Sequence, residues 1–135
     1  MAVQLSAAVR NARLDAIETA IGTTPILRIR TGAQPANCAA ARTGTVLATV
    51  NLPSDWMAAA SGGSKGLAGT WQDAAADAAG TAAHFEIMDS AGSTCHLQGS
   101  VTATGGGGDM IVDNTVFAAG QAFNVTAFTL TDANG

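Results

Sequence analysis

The sequence predicts a mainly β protein: an antiparallel, jelly-roll-like β-sandwich with an N-terminal α-helix and a short second helix. Apolar residues recur at helical spacing in the first part of the chain, and after Pro25 the period changes to two. Short alternating segments separated by Gly- and Ser-rich turns then follow. A chain of 135 residues suits one domain spanning 1–135, with a helix or arm over 1–22, a sandwich over 26–131 and a tail over 132–135.

The first segment has the pattern of an amphipathic helix over about residues 4–21. Gly22 and Pro25 end it, because glycine is a favoured residue just after a helix and proline cannot continue one. Charged residues, including Arg10 and Arg13, flank the apolar stripe, so the helix either has a solvated surface or docks on another subunit. The apolar stripe consists of Leu5, Val9, Leu14, Ile17 and Ile21.

Alternation with period two predicts strands in "ILRIRTG" and "TVLATVNL". The loop between them, "TGAQPANCAAARTG", is long enough to suggest a functional or binding surface. The apolar parity changes within the last predicted strand, which indicates a β-bulge near Ala127. The later strands are predicted to form an antiparallel meander of Gly66–Trp71, Ala82–Asp89, Thr94–Thr102, Asp109–Phe117 and Phe123–Thr131.

The segment "PSDWMAAASGG" predicts the short second helix. Ser54 or Asp55 would be its N-cap, and the glycines would end it. Trp56 and Met57 would then either pack in the core or form an exposed contact anchor.

Cys95 and His96 are adjacent in a chain with two cysteines and two histidines. Strand parity places Cys95 toward the core and His96 toward water, so the two cannot act together locally on a metal or as nucleophile and base. His84 shares the outward parity of His96, which leaves open either a cross-strand histidine pair or two separate surface histidines. A disulfide between Cys38 and Cys95 is also left open, although a cytoplasmic location would disfavour it.

Two further patterns do not predict chemistry. The run "TGGGGDM" resembles a phosphate-binding loop, but strands flank it and no Gly-Lys-Ser/Thr follows, so we expect a flexible hairpin connection. Asp109, Asp113 and Asp132 lack the alternating spacing of a calcium loop and are expected to be solvated turn acids. The sequence therefore predicts no catalytic residues, no cofactor and no metal site.

Charge is unevenly distributed along the chain. Residues 1–42 contain five arginines and two acids, whereas residues 43–135 contain one lysine and eight acids. This asymmetry either orients the protein on a charged partner or reflects only a short basic helix. Six basic residues are too few for a nucleic-acid surface, and the apolar runs are too short for a membrane span. The first residues lack the pattern of a signal peptide, which predicts synthesis in the cytoplasm.

Several long segments resemble small virion structural proteins of tailed bacteriophages and prophages. They are "VRNARLDAI", "LRIRTGAQPANCAAARTGTVLATVNLPSDWM", "GTAAHFEIMDSAGSTCHLQGSV" and "NTVFAAGQAFNVTAFTLT". The resemblance implies a particle component without enzymatic activity, a β-sandwich cement or decoration protein that is made in the host cytoplasm and located in the virion. Its implied partners are the major capsid protein, further copies of itself in a homo-oligomer such as a trimer, or both.

Alternatives to this role are a tail or head-to-tail component and a virion-surface carbohydrate-binding module. A sugar site or an enzyme would ordinarily use exposed aromatic side chains or paired carboxylates, and this chain has two Trp, four Phe and no Tyr. Trp71 opposite Glu86 or Asp89 would be the place for such a site. The basic excess and the exposed part of the apolar stripe instead predict assembly contacts at Leu5, Val9, Arg10, Arg13, Arg28, Arg30 and Arg42.

Overall fold

A computed structural model describes residues 3–135 as a mainly β fold with one helix. The helix α1 spans Ala7–Ile21, with Ser6 as its N-cap and Gly22 as its C-cap. The strands are β1 Ile26–Arg30, β2 Val46–Asn51, β3 Ser64–Gly66, β4 Gln72–Asp73, β5 Gly80–Thr81, β6 His84–Met88, β7 Cys95–Ala103, β8 Met110–Val112, β9 Val116–Phe117 and β10 Phe123–Thr131.

Most strands belong to one mixed sheet with the order β2-β1-β6-β7-β8-β10-β3, in which β4 also pairs with β10. Strands β5 and β9 form a separate pair. The two sides of the large sheet approach each other where Asp73 of β4 accepts a hydrogen bond from the Thr49 amide of β2 at 3.2 Å. The predicted mainly β class is confirmed, as a multi-stranded mixed sheet.

The sequence pattern located most strands of this sheet. The predicted bulge is confirmed, because the register of β10 against β8 shifts between Val125 and Ala127. Two predicted strands are instead interrupted. Only the first residue of the predicted Gly66–Trp71 strand lies in β3, and the predicted Asp109–Phe117 strand divides into β8 and β9.

The predicted second helix is wrong. Met57 forms an isolated bridge with Leu67, and the Ala58 amide donates to the Gly66 carbonyl at 2.8 Å. Trp56 and Met57 are both buried, as the core interpretation expected. Two consecutive buried side chains and these backbone contacts hold the segment extended, which overrides the local capping pattern.

The connection from β7 to β8 also differs from the prediction. The two strands run parallel, with Val101 opposite Met110, and are joined by residues 104–109. These residues pack tightly against β7: a Cβ on Gly106 would lie 2.5 Å from that of Thr102. Gly108 donates its amide to Thr102 Oγ1 at 2.9 Å. The glycines thus permit a compact parallel connection in place of the expected flexible hairpin.

Aromatic side chains form the centre of the core. Trp56 packs against Trp71, Trp71 against Phe128, and Phe128 against Phe85, with ring centroids 5.9, 5.5 and 5.4 Å apart. Such tilted and edge-on arrangements are favourable for aromatic pairs. Phe85 belongs to β6, in which all five residues are buried. The core therefore joins the β1–β6–β7 side of the sheet to the β10 side.

Candidate assembly surfaces

The predicted assembly residues fall into two groups. We call the first the helix surface; it comprises Leu5, Val9, Arg10 and Arg13, beside the C-terminal segment. The second, the loop surface, comprises Arg28, Arg30 and Arg42 with the loop of residues 31–45, which lies beside β1, β6 and β7. The structure does not bring these two groups together into one contact area.

Contacts at the helix surface bind the N-terminal segment to residues 132–134. The Leu5 amide donates to the Asn134 carbonyl at 2.6 Å. Arg10 donates to the Asp132 carbonyl at 3.3 Å, and Arg13 pairs with the Asp132 carboxylate at 3.1 Å. Asp132 is buried, so the prediction that it is a solvated acid is wrong. Both arginines therefore have partners within the chain.

Two valines leave apolar surface exposed near these contacts. Val3 is 79% exposed and Val9 is 47% exposed, whereas Leu5 is partly buried. Leu14 is the buried residue of α1, on the side that faces the domain. Single exposed apolar residues are common on protein surfaces. Val3 and Val9 are nevertheless candidates for a contact, because they lie close together in sequence and Val9 is one helical turn from Arg13.

Charged side chains fix the other end of α1 to the sheet. Lys65 of β3 is buried and donates hydrogen bonds to Asp15 at 2.7 Å and to Glu18 at 2.8 Å. Burial alone would lower the pKa of Lys65, but the hydrogen bonds to the two carboxylates outweigh it and raise this pKa above its usual value. The bond from Lys65, followed by one from the Ala60 amide, lowers the pKa of Asp15. The helix is thus held in a defined position.

A fully buried carboxylate organises the loop surface. Glu86 of β6 accepts from Arg30 at 2.8 Å and from Arg42 at 3.3 Å. The side chains of these two arginines are only 13% and 17% exposed. Both guanidinium groups therefore pair with Glu86 inside the fold, and little of either is accessible to another protein. An acid inside the apolar strand "HFEIM" was the available sequence signal for this cluster, since a buried charge requires a partner.

Arg42 also holds the loop in shape. Its guanidinium donates to Gln98 at 3.0 Å and to three loop carbonyls, which belong to Asn37, Cys38 and Ala40, at 2.7 to 3.1 Å. Gln98 in turn donates to the Pro35 carbonyl at 2.8 Å. The loop is therefore fastened to β6 and β7 at several points.

Arg28 has a different neighbour. It lies on β1 and donates to the Gly92 carbonyl at 3.3 Å, so that it supports the turn between β6 and β7. Its side chain is partly exposed. Of the three loop-surface arginines, Arg28 has no carboxylate partner in the part of the chain that the structure describes.

The histidines do not pair across the strands. His84 lies opposite Ser100, and its ring Nδ1 is 2.9 Å from the Gly32 carbonyl oxygen. His84 is buried, so the expectation that both histidines lie at the surface is wrong for this residue. His96 is exposed, as predicted. The predicted inward position of Cys95 corresponds to a partly buried side chain beside the loop.

The place suggested for a sugar site is not accessible. Trp71 is 1% exposed and its indole donates to the carbonyls of Trp56 and Ala68, both at 3.2 Å. Glu86 is fully buried against its arginines. Neither side chain can stack on or bind a sugar at the surface, so we do not retain a carbohydrate site there.

Some of the turn acids have structural partners. The Asp109 carboxylate accepts from the amide and the hydroxyl of Ser100, at 2.9 and 3.1 Å. Asp113 accepts from the Asn124 amide at 3.1 Å. Over residues 3–135 there is no group of three or more His, Cys, Asp or Glu side chains placed to hold a metal ion. Over the same residues, no helix has the length and apolar character required to span a bilayer.

The geometry thus gives two defined surfaces, one with exposed valines beside bound arginines and one with a loop fastened by Arg42. Known proteins add no further information about either surface. Comparison of the chain with protein-family models, with curated proteins and with solved structures found no match.

Proposed function

We propose that this chain is a structural component of a tailed-bacteriophage virion, a cement or decoration protein that binds the major capsid protein on the head. The sequence resemblance supports this role, and the curled mixed sheet would serve as the jelly-roll-like sandwich that the resemblance implies. The observation that carries the proposal is the helix surface with the adjoining Val3: Val3 and Val9 are exposed, and Leu5 between them is bound to Asn134.

A fixed contact segment is suited to assembly. The hydrogen bonds from Leu5 to Asn134 and from Arg10 to Asp132 hold the segment that carries Val3 and Val9, so little conformational freedom is lost when a partner buries these valines. Full burial of a valine side chain contributes on the order of 1.5–3 kcal/mol. Two valines alone therefore give a weak contact per copy.

Repetition compensates for a weak contact. A homo-oligomer such as a trimer would place several copies of the helix surface on a symmetric lattice, and linked sites bind far more tightly than single sites. The loop surface provides a second rigid element that could meet a neighbouring copy. Arg10 and Arg13 are bound to Asp132 and would orient the contact more than strengthen it.

Co-sedimentation of the purified full chain with particles tests this proposal. Shells assembled from the major capsid protein of the same genome are compared with tail tubes from that genome. We expect saturable binding to shells, and a loss of at least about tenfold in affinity for the Val3→Ser/Val9→Ser double variant, because each substitution removes apolar burial.

Val116→Ser is the matched control, because Val116 is 62% exposed and lies far from α1 in sequence. It should bind as the original protein does. Binding to tail tubes alone would assign the chain to the tail or the head-to-tail junction. Undiminished shell binding by the double variant would contradict the role of the helix surface, and absence of binding to either particle would contradict a virion role.

A further inference from the structure

The loop between β1 and β2 brings both cysteines of the chain to one cleft. Cys38 lies in the loop, and Cys95 is the first residue of β7. The cleft has a volume of about 320 Å³ and is lined by Cys38–Arg42, Met88 and Ser93–Cys95. Both thiols are free and partly exposed. Two oxidisable thiols that are far apart in sequence thus lie beside the same solvent-accessible cleft.

Arg42 fixes the positions of both cysteines. Its guanidinium lies 3.3 Å from Cys95 Sγ and donates to the Cys38 carbonyl at 3.1 Å. Because the same guanidinium is anchored on Glu86 and Gln98, the loop residue and the strand residue are held relative to each other. Because both cysteines line one cleft and are held by one guanidinium, the folded chain keeps the two thiols near each other, which favours an intramolecular reaction over one between molecules.

We propose that Cys38 and Cys95 are a redox-active pair, forming a disulfide when the folded protein meets a peroxide and thereby fastening the loop of residues 31–45 to β7. This goes beyond the proposed assembly role and does not depend on it. The bond would convert a loop held by hydrogen bonds into one held covalently.

The reaction balances with hydrogen peroxide as the oxidant. The thiolate of Cys38 attacks one peroxide oxygen, the O–O bond breaks, and a sulfenic acid and hydroxide form. The sulfur of Cys95 then attacks the sulfenic sulfur, forming the S–S bond and releasing the second hydroxide. The protons from both thiols convert the hydroxides to water. In total the thiols lose two electrons, and one peroxide molecule is reduced to two waters.

The order of attack follows from the environment of Cys95. Burial, with the neighbouring Cys38, raises the pKa of Cys95 to about 12, against the opposing effect of Arg42. Little of the Cys95 thiol is therefore ionised near neutral pH, so Cys95 suits the second step, in which it loses its proton as the S–S bond forms.

Thiol counting and peptide mapping test the proposal on the full chain. The reduced, desalted protein is treated with hydrogen peroxide at low protein concentration, quenched, and then alkylated in denaturant. We expect alkylatable thiols to fall from two to none, a mass loss of two hydrogens, and a peptide joining Cys38 to Cys95. The melting temperature should rise by roughly 5–15 °C, because the crosslink restricts the unfolded chain.

Three controls make the outcome decisive. Cys38→Ser and Cys95→Ser should each remain without an internal crosslink and show no oxidation-dependent rise in melting temperature. The original chain treated with peroxide in denaturant should crosslink at least about tenfold more slowly, because the folded geometry supplies the proximity. Thiols that stay alkylatable after oxidation of the folded protein would overturn the proposal. Disulfides formed only between molecules, or equal rates in folded and denatured protein, would also overturn it.

Discussion

Glu86 is a carboxylate without exposed surface, and its charge is balanced by Arg30 and Arg42. A buried ion pair is not by itself a large source of stability, because both charges lose solvation. Removing one partner is different, since it leaves a buried charge that is less well compensated. In this protein the effect would extend to the loop, because Arg42 also binds the carbonyls of Asn37, Cys38 and Ala40.

Arg42→Ala should therefore lower the free energy of unfolding by about 3 kcal/mol, the order found for a broken buried pair. Urea denaturation followed by tryptophan fluorescence measures this change. Arg28→Ala is the matched control, because Arg28 is partly exposed and has no carboxylate partner among residues 3–135, so its removal leaves no buried charge unpaired. Equal losses for the two variants would show that the Glu86 cluster contributes no more than a single arginine hydrogen bond.

Only some of the side-chain environments could be predicted from the sequence. The strand periodicity of "CHLQGS" correctly separated exposed His96 from partly buried Cys95. It could not give the register between β6 and β7, which places His84 opposite Ser100. Register depends on pairing between distant segments, so the contacts of His84 and Glu86 required the assembled sheet.

The helix α1 is joined to its sheet as much by charge as by apolar packing. Leu14 is its buried residue, while Asp15 and Glu18 bind the ammonium of Lys65. This arrangement makes the position of the helix dependent on pH. The pKa of Asp15 is lowered from 3.8 and that of Lys65 is raised from 10.5.

We expect the protection of α1 amides from hydrogen exchange to be constant between pH 3.8 and pH 10.5 and to fall below and above this range. The Asp15 contribution is present above pH 3.8 and is lost as pH falls through its still lower folded-state pKa. The Lys65 contribution is complete below pH 10.5 and is lost as pH rises through its higher folded-state pKa. Protection factors, corrected for the intrinsic rate at each pH, measure the effect.

Asp15→Asn provides the control, because it cannot titrate. Its α1 protection should be lower near neutral pH and should respond less to acid. The pKa of Asp89 is also lowered, chiefly by its hydrogen bond from the Ser93 amide, so acid will weaken the β6–β7 turn as well. The test therefore compares the protection of the α1 amides in the original protein with their protection in Asp15→Asn. Identical acid profiles would contradict the role of Asp15.

The connection between β7 and β8 allows a test of tight packing. Gly106→Ala would place a methyl group 2.5 Å from Thr102 Cβ, a distance that requires the backbone to move. We expect a cost of about 1–3 kcal/mol, typical of overpacking, measured by thermal or urea unfolding. Gly66→Ala is the control, because nothing lies within 4 Å of its added Cβ. A neutral Gly106→Ala variant would show that the connection is loose.

Elements with a clear period were predictable, and elements set by distant contacts were not. The alternation of β10 gave both its bounds and its bulge. The capping pattern at Ser54 wrongly suggested a helix, because burial of Trp56 and Met57 decides that segment. The parallel pairing of β7 with β8 was also missed, since short connections normally join antiparallel strands. Here the glycines at 105–108 allow the exception, by positive φ at Gly105 and Gly107 and by close packing of Gly106 and Gly108 on Thr102.

For the molecule as a whole, most of the basic excess is paired inside the fold and is not free at the surface. Arg30 and Arg42 share the one carboxylate of Glu86, and Arg13 pairs with Asp132. The sequence predicted these arginines as assembly contacts and did not predict their internal partners, because acids from the second half of the chain reach them only through folding. The assembly role at the helix surface consequently depends on exposed Val3 and Val9 more than on net charge.

The position of β10 has a consequence for how the protein is made. This strand pairs with β8, β4 and β3, and β3 carries the lysine that holds α1. While residues 123–131 remain inside the ribosomal exit tunnel, β3 and β4 lack this pairing partner, whereas the antiparallel pairs among β1, β2, β6 and β7 do not require it. Folding must therefore be completed after most of the chain has been synthesised. A nascent chain stalled before β10 would expose its aromatic core and depend on chaperones for its solubility.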